Sequence, residues 1–508
     1  MSSFNRRTTL GTASALAMAG LLLLSPRQAG AVDPLASNNG LYPDAPIITV
    51  PAMNAAFGPD QFWDGTLRLS NYDYPDKAEN GWLAVKPRGA LTLANASAYL
   101  DAMKKYIAPA MKPMIEHPNE WSKHQQRWYS PVWTAEGSPN SPADPSINPE
   151  SGREAILGSF TGQIIRRCTF AAYGLTTDMQ NHTVIYYDPV AAMTLKRIWA
   201  DPLHPNVSRT SDIGSDQSMF AEGAIVVKSG GVTATPAQWP VVTGAAVWNV
   251  YRPALVGAST GPTDCDPARV PEKVTFGPTP VVTPLRVLQF DMIVKDKEAA
   301  PRTGFVFIAW VYSCQDPTKA DCGMPGTTPW DRMVPLGITW GSDPEFANTI
   351  TGRNPDPKGP PLLETWISPQ APAYAISTLG WGGRLSGPID VSERHGVQLA
   401  RGGVLAKGVH VSSCIGCHIS SQYPFIANLY PSPNITFPQD GQRFLMYEPG
   451  SREFARWFQD QKGNAALSAV NDKAAIGLSY DMVQTFALSA FNRAAGNTTL
   501  IVPRLAGH

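Results

Sequence analysis

Five consecutive residues, Cys414-Ile415-Gly416-Cys417-His418, have the types and spacing to do chemistry. Two thiols three positions apart on one helical turn can form thioethers to the two vinyl groups of a single porphyrin. The adjacent imidazole can then reach the iron, so C-x-x-C-H is the attachment pattern of c-type haem. The pattern also admits a thioredoxin-like redox pair or half of a zinc site. A four-cysteine zinc site needs a second close pair, which is absent nearby, and a redox pair has no need of His418. The expected cofactor is therefore one covalent haem c, with Cys414 and Cys417 as attachment points and His418 as axial ligand.

The sixth position of the iron is commonly filled by Met or His. Met446 lies just before a helix expected from Ser451, where a loop can swing a thioether over a haem face, and it is the favoured ligand. Met482 competes, but Leu478, Met482, Phe486 and Ala490 recur every four residues behind an N-cap at Ser479. That places Met482 on the packing stripe of a helix. His410, His395 or an open position complete the alternatives. Gly380-Trp381-Gly382-Gly383-Arg384 precedes the motif; Trp381 could pack on porphyrin and Arg384 could pair with a propionate, or the run is a structural turn. His117 and His124 read as solvated surface. Arg153, Glu154, Lys228 and Asp291 read equally as pocket lining or as strand-end ion pairs. No phosphate-binding loop, nucleophile elbow or dinucleotide fingerprint is evident.

The elements that must position these residues follow from composition and period. The chain has 508 residues, with Lys+Arg and Asp+Glu balanced at 41 each, which argues against a nucleic-acid partner held by a basic face. The 47 Pro and 43 Gly exclude a long helical bundle and favour short strands with many turns. Residues 1–31 read as a signal peptide: Arg6-Arg7, an apolar stretch from Leu10 to Leu24, then Ala29-Gly30-Ala31. This predicts a periplasmic or otherwise exported protein with no transmembrane span after cleavage. Residues 32–150 are irregular, with one helix from an Asn95 cap to just before Pro109. Residues 152–345 carry period-two runs at 183–187, 224–228, 246–251, 285–295, 304–312 and 336–340. Residues 346–375 read as a Pro-rich linker and 376–508 as the haem region. The expected class is α+β: a mainly antiparallel β sandwich or barrel-like region followed by a small, mostly α cytochrome c-like haem region. Of the remaining cysteines, Cys314 and Cys322 bracket a short polar loop and suit a local disulfide. Cys168 and Cys265 pair with each other, or Cys168 is a buried thiol.

The run Gly380 to Asp390 and the segment Ser412-Ser413-Cys414-Ile415-Gly416-Cys417-His418, with Arg127-Trp128-Tyr129, Gly152-Arg153-Glu154 and Phe220-Ala221-Glu222-Gly223, resemble a group of exported bacterial cytochrome c-like proteins with a single C-x-x-C-H. The similarity extends over about 125–490 and only the haem motif in it is specific. The resemblance implies haem binding and electron transfer, to a redox partner protein or a small-molecule substrate, and assigns neither. The large β region upstream is more than an electron shuttle requires, which leaves room for a haem-dependent oxidoreductase. The rival class is a haem-based sensor or binding protein with an open sixth site.

Overall fold

The computed structural model describes residues 74–494 with gaps, the longest at 132–156, 208–217, 257–274, 315–326, 346–360 and 432–444, together with 47–48 and 69–70. The expected signal peptide lies outside the described residues, as do His124, Arg153, Glu154, Cys265, Cys322 and His395.

Eight strands form one antiparallel sheet: β1 (Phe160–Ile165), β2 (Met179–Tyr187), β3 (Ile225–Val232), β4 (Val247–Val256), β5 (Thr275–Lys295), β6 (Phe305–Tyr312), β7 (Met333–Thr339) and β8 (Thr365–Ile367). Their order is β8-β7-β6-β5-β3-β2-β1, with β4 paired to the first half of the long β5. All six expected runs are strands. They lie in this one sheet rather than in two facing ones. β8 comes out of the segment expected to be a linker. As an edge strand it needs a partner on one side only, so its proline-rich surroundings cost it little.

The alternation along β5 explains why one sheet suffices. Leu288, Phe290, Met292 and Val294 point to one face and are essentially inaccessible. Helix α1 (Ala96–Glu116) belongs to that side: Trp248 Nε1 donates to Ile115 O at 3.0 Å, and Trp330, whose ring meets Phe290, carries Lys104 over its own ring at 5.2 Å. This helix does not stop before Pro109; it continues through Pro109 and Pro113. Each proline removes one donor, a local loss that burial of Met111, Met114 and Ile115 opposes at roughly 1.5–3 kcal/mol per side chain. Asn95 does not cap α1 through its side chain. It accepts from Thr92 N–H and donates to Ala90 O, ordering the turn before the helix.

The other face carries Gln289, Asp291 and Ile293 of β5, Lys228 of β3 and Phe307 of β6. The period-two pattern marks this as a solvated face, but residues beyond 376 lie across it. Asn181 of β2 donates to Ile389 O at 3.0 Å, and Tyr187 donates to Asp481. Among the described residues this C-terminal region is built from short pieces. They include α3 (Cys414–His418), α4 (Met482–Ala494) and small sheets pairing Val397–Leu399 with Leu445–Met446 and Gln422–Tyr423 with Ile476–Gly477. Helix α2 (Pro189–Ile198), capped by Asp188, connects β2 to the chain leading into β3. Among the described residues no helix is long and apolar enough to cross a membrane.

Candidate functional site

The motif helix α3 is set in place from both ends. Ser413 caps it, its Oγ accepting from Gly416 N–H at 3.1 Å, and Cys414 N–H donates to Leu385 O at 2.8 Å. The Gly380–Arg384 turn lies directly against the approach to the motif, with Trp381 N–H donating to Ser412 O at 2.8 Å. A Cβ on Gly380 would sit 1.8 Å from Ser412 O, so only glycine permits this approach. Trp381 packs edge-on to Phe454 at 4.8 Å and stacks over Phe458. Arg384 is enclosed: Nε donates to Ser342 O, Nη1 to Trp381 O and Nη2 to Asp343 O, with the Phe458 ring 4.8 Å from the guanidinium. These bonds are what the structural-turn reading of this run expects: the guanidinium ties the turn to itself at Trp381 and to the chain at Ser342 and Asp343.

His418 ends α3. Its Nδ1 lies 2.6 Å from Tyr480 O, and because a carbonyl can only accept, Nδ1 carries the proton and Nε2 keeps its lone pair. The ring meets Phe307 of β6 edge-on at 5.4 Å, and Tyr480 packs against both Phe305 and Phe307. Burial pushes the His418 pKa down to about 4, with Lys228 adding to the effect and the Tyr480 contact opposing it. The imidazole is thus neutral at pH 7, and a histidine whose other nitrogen donates to a carbonyl is prepared as an axial ligand.

Neither thiol of the motif is in a disulfide, and both are partly accessible. Cys168 and Cys314 are disulfide-bonded, which excludes the buried-thiol reading of Cys168; Cys265 and Cys322 lie outside the described residues. Burial raises the Cys414 pKa well above its ordinary value, and the carboxylates of Asp291 and Asp390 raise it further. A redox-active C-x-x-C pair needs the reverse, a thiolate stabilised near neutrality. The described residues contain no group of three or more His, Cys, Asp and Glu suited to a metal ion. Two thiols outside any disulfide and one neutral, oriented imidazole on one short helix fit covalent haem.

Beside the motif, the sheet supplies a charged cluster. Lys228 and Asp291 stand opposite each other in register, and Lys228 Nζ bonds Asp390 Oδ1 and approaches Asp291 Oδ2 at 3.6 Å. Gln289 Nε2 donates to Asp291 Oδ2 at 2.6 Å and to Asp390 Oδ2 at 2.8 Å. Despite its burial, the ammonium is kept above its usual pKa by Asp390 and Asp291. Lys228 and Asp291 thus belong to the site as well as to an ion pair. Alternation in β5 could have singled out Gln289 and Asp291; nothing in the sequence joins them to Asp390, about a hundred residues later.

The remaining candidates are placed as follows. Met446 is fully buried in the two-residue strand beside Val397–Leu399, and its carbonyl accepts from Ala400 N–H. Met482 opens α4, and its Sδ accepts from Ser420 Oγ at 3.7 Å, directly after the motif helix. Among the described contacts of His418 neither methionine occurs. His410 lies on a two-residue strand paired with Glu393–Arg394, and His117 is exposed at the C-cap of α1. The expected Ser479 cap of α4 is replaced by Asp481, whose Oδ1 accepts from Val483 and Gln484 N–H at 3.1 Å. Ser479 and Tyr480 instead take left-handed backbone angles, φ 56° and 61°, which turn the Tyr480 carbonyl toward His418.

Compared with known proteins, the chain matches no family model, no curated protein and no solved structure.

Proposed function

We propose that this chain is an exported c-type cytochrome-like protein that holds one covalent haem and transfers electrons. The partner is a redox protein or the substrate of a periplasmic oxidoreductase. The observation that carries the reading is the 2.6 Å contact from His418 Nδ1 to Tyr480 O on the helix that bears two thiols outside any disulfide. Haem c, when bound, supplies reversible one-electron exchange at its iron. The chain supplies the rest. Cys414 and Cys417 anchor the porphyrin, and His418 offers Nε2 in a fixed tautomer. Phe307 and Tyr480 hold that ring in one orientation, and the Gly380–Arg384 turn sets where α3 begins.

The test is a pyridine haemochrome spectrum with haem staining, on protein matured in a host competent for cytochrome c assembly. One covalent haem per chain is expected, and none in the Cys414→Ser/Cys417→Ser double variant. A haem-free wild-type protein from such a host, or haem that survives denaturing electrophoresis in the double variant, overturns the reading. The same preparations assign the sixth ligand. Met446→Leu abolishes the thioether-to-iron charge-transfer band if Met446 is the ligand; loss of the band in Met482→Leu moves the assignment there.

A further inference from the structure

The charged cluster beside the motif has more acid than base. Two carboxylates, Asp291 and Asp390, face one ammonium, Lys228, and all three lie close enough to Cys414 to act on its ionisation. Gln289 has no donor left: both amide hydrogens go to the carboxylates, while its Oε1 accepts from Ile389 N–H at 2.9 Å. Asp291 Oδ1 is buried without a hydrogen-bond partner among the described residues. An ionised carboxylate with one oxygen so placed is unfavourable, and a proton on the pair relieves it.

Resting on the haem reading above, we propose that Asp291 and Asp390, bridged by Gln289 and countered by Lys228, form a shared proton site that is loaded when the haem at Cys414 and Cys417 is reduced. One electron enters from a one-electron donor, a redox protein or a small reductant. One proton comes from water and forms an O–H bond on the carboxylate pair; on oxidation both depart. The logic is charge balance. With both carboxylates ionised the cluster carries one net negative charge, and the electron adds a second beside it, where burial leaves repulsion weakly screened. Burial pushes the Asp291 pKa up to about 7, with Lys228 opposing this and Asp390 reinforcing it, so Asp291 is poised to titrate near neutrality. The other titratable groups facing it are Cys414 and His418 of α3. In the haem-bearing protein the first is a thioether and the second an iron ligand, so neither takes the proton.

The experiment is a redox titration of the haem-bearing protein between pH 5 and 9. The midpoint potential is expected to fall with pH across neutrality. The limiting slope is a tenfold change per pH unit, about 59 mV for one electron. Asp291→Asn and the more exposed Asp390→Asn are each expected to flatten it. A pH-independent wild-type potential overturns the proton site and leaves the haem reading standing. A slope that persists in both variants also overturns it, assigning the proton to other groups such as the propionates. Absence of covalent haem overturns both. A readout without haem is infrared spectroscopy of the Cys414→Ser/Cys417→Ser variant. A protonated-carboxyl band that titrates near pH 7 and is lost in Asp291→Asn is expected; its absence counts against the site.

Discussion

Tyr187 and Asp481 show how single residues set His418 from a distance. The buried phenol of Tyr187 on β2 donates to Asp481 at 2.8 Å, and Asp481 in turn caps α4. The residue just before Asp481 is Tyr480, whose carbonyl holds His418, so the sheet fixes the imidazole through two short links. Burial raises the Asp481 pKa to about 6, with its hydrogen bonds opposing the rise. Tyr187→Phe is therefore expected to cost about 1.5–3 kcal/mol at pH 8, where the lost bond goes to a charged acceptor. The cost shrinks at pH 5, where Asp481 is protonated. Urea unfolding at the two pH values measures this, and an equal cost at both would show that ionised Asp481 is not the partner. None of this relay was legible in the sequence. Cys414, Cys417 and His418 announce themselves because their chemistry depends on side-chain type and spacing. The acceptor that orients His418 is a backbone carbonyl 62 residues away, for which residue identity is silent.

At the scale of elements, the turn Gly380–Arg384 acts as a gauge for α3. Its first glycine has no room for a Cβ against the Ser412 backbone, whereas Gly383, at φ 81°, has open space around it. The two positions separate fit from strain. Gly380→Ala must push the Ser412 backbone away, at a cost of roughly 1–3 kcal/mol or more, and with it the Cys414 end of the motif helix. Gly383→Ala carries only the left-handed penalty of roughly 1–2 kcal/mol. Both variants are expected to unfold at lower denaturant, but only Gly380→Ala should lose covalent haem on maturation. Equal haem content in the two would remove the turn from the assembly of the site. Elements were legible where a period repeats, as in the six strand runs, because alternation is set by the sheet itself. They were illegible where tertiary contact overrode local preference. Helix α1 continues through two prolines under burial, and β8 is a three-residue strand that among the described residues pairs only with β7.

For the whole molecule, the β region and the expected haem region share an interface, with residues beyond 376 lying across one face of the sheet. Alternation in β5 correctly predicts one polar face, but period alone cannot say whether water or the rest of the chain covers it. Here the C-terminal region covers it, Asn181 donating to Ile389 O and Tyr187 to Asp481, and elsewhere too the fold buries acids. Asp188, Asp291 and Glu364 are each pushed up to about 7 and Asp481 to about 6, burial being the leading cause in every case. A carboxyl with a raised folded pKa keeps its proton where the unfolded chain has lost it. Its stabilising contribution is complete below about pH 4, the ordinary carboxylate value, and is lost as pH rises through 6 to 7. His418, lowered to about 4, works in the opposite sense, its contribution present above about 6.5 and lost as pH falls. Glu298, held near 2 by its hydrogen bond to Lys86, titrates below this window. Four acids outweigh one imidazole, and each pKa unit retained is worth about 1.4 kcal/mol. The unfolding midpoint in urea is therefore expected to fall between pH 5 and pH 8, and Asp188→Asn, which removes one of the four charges, to make the fall shallower. A midpoint that rises over this range would mean that water reaches these carboxylates in the folded protein.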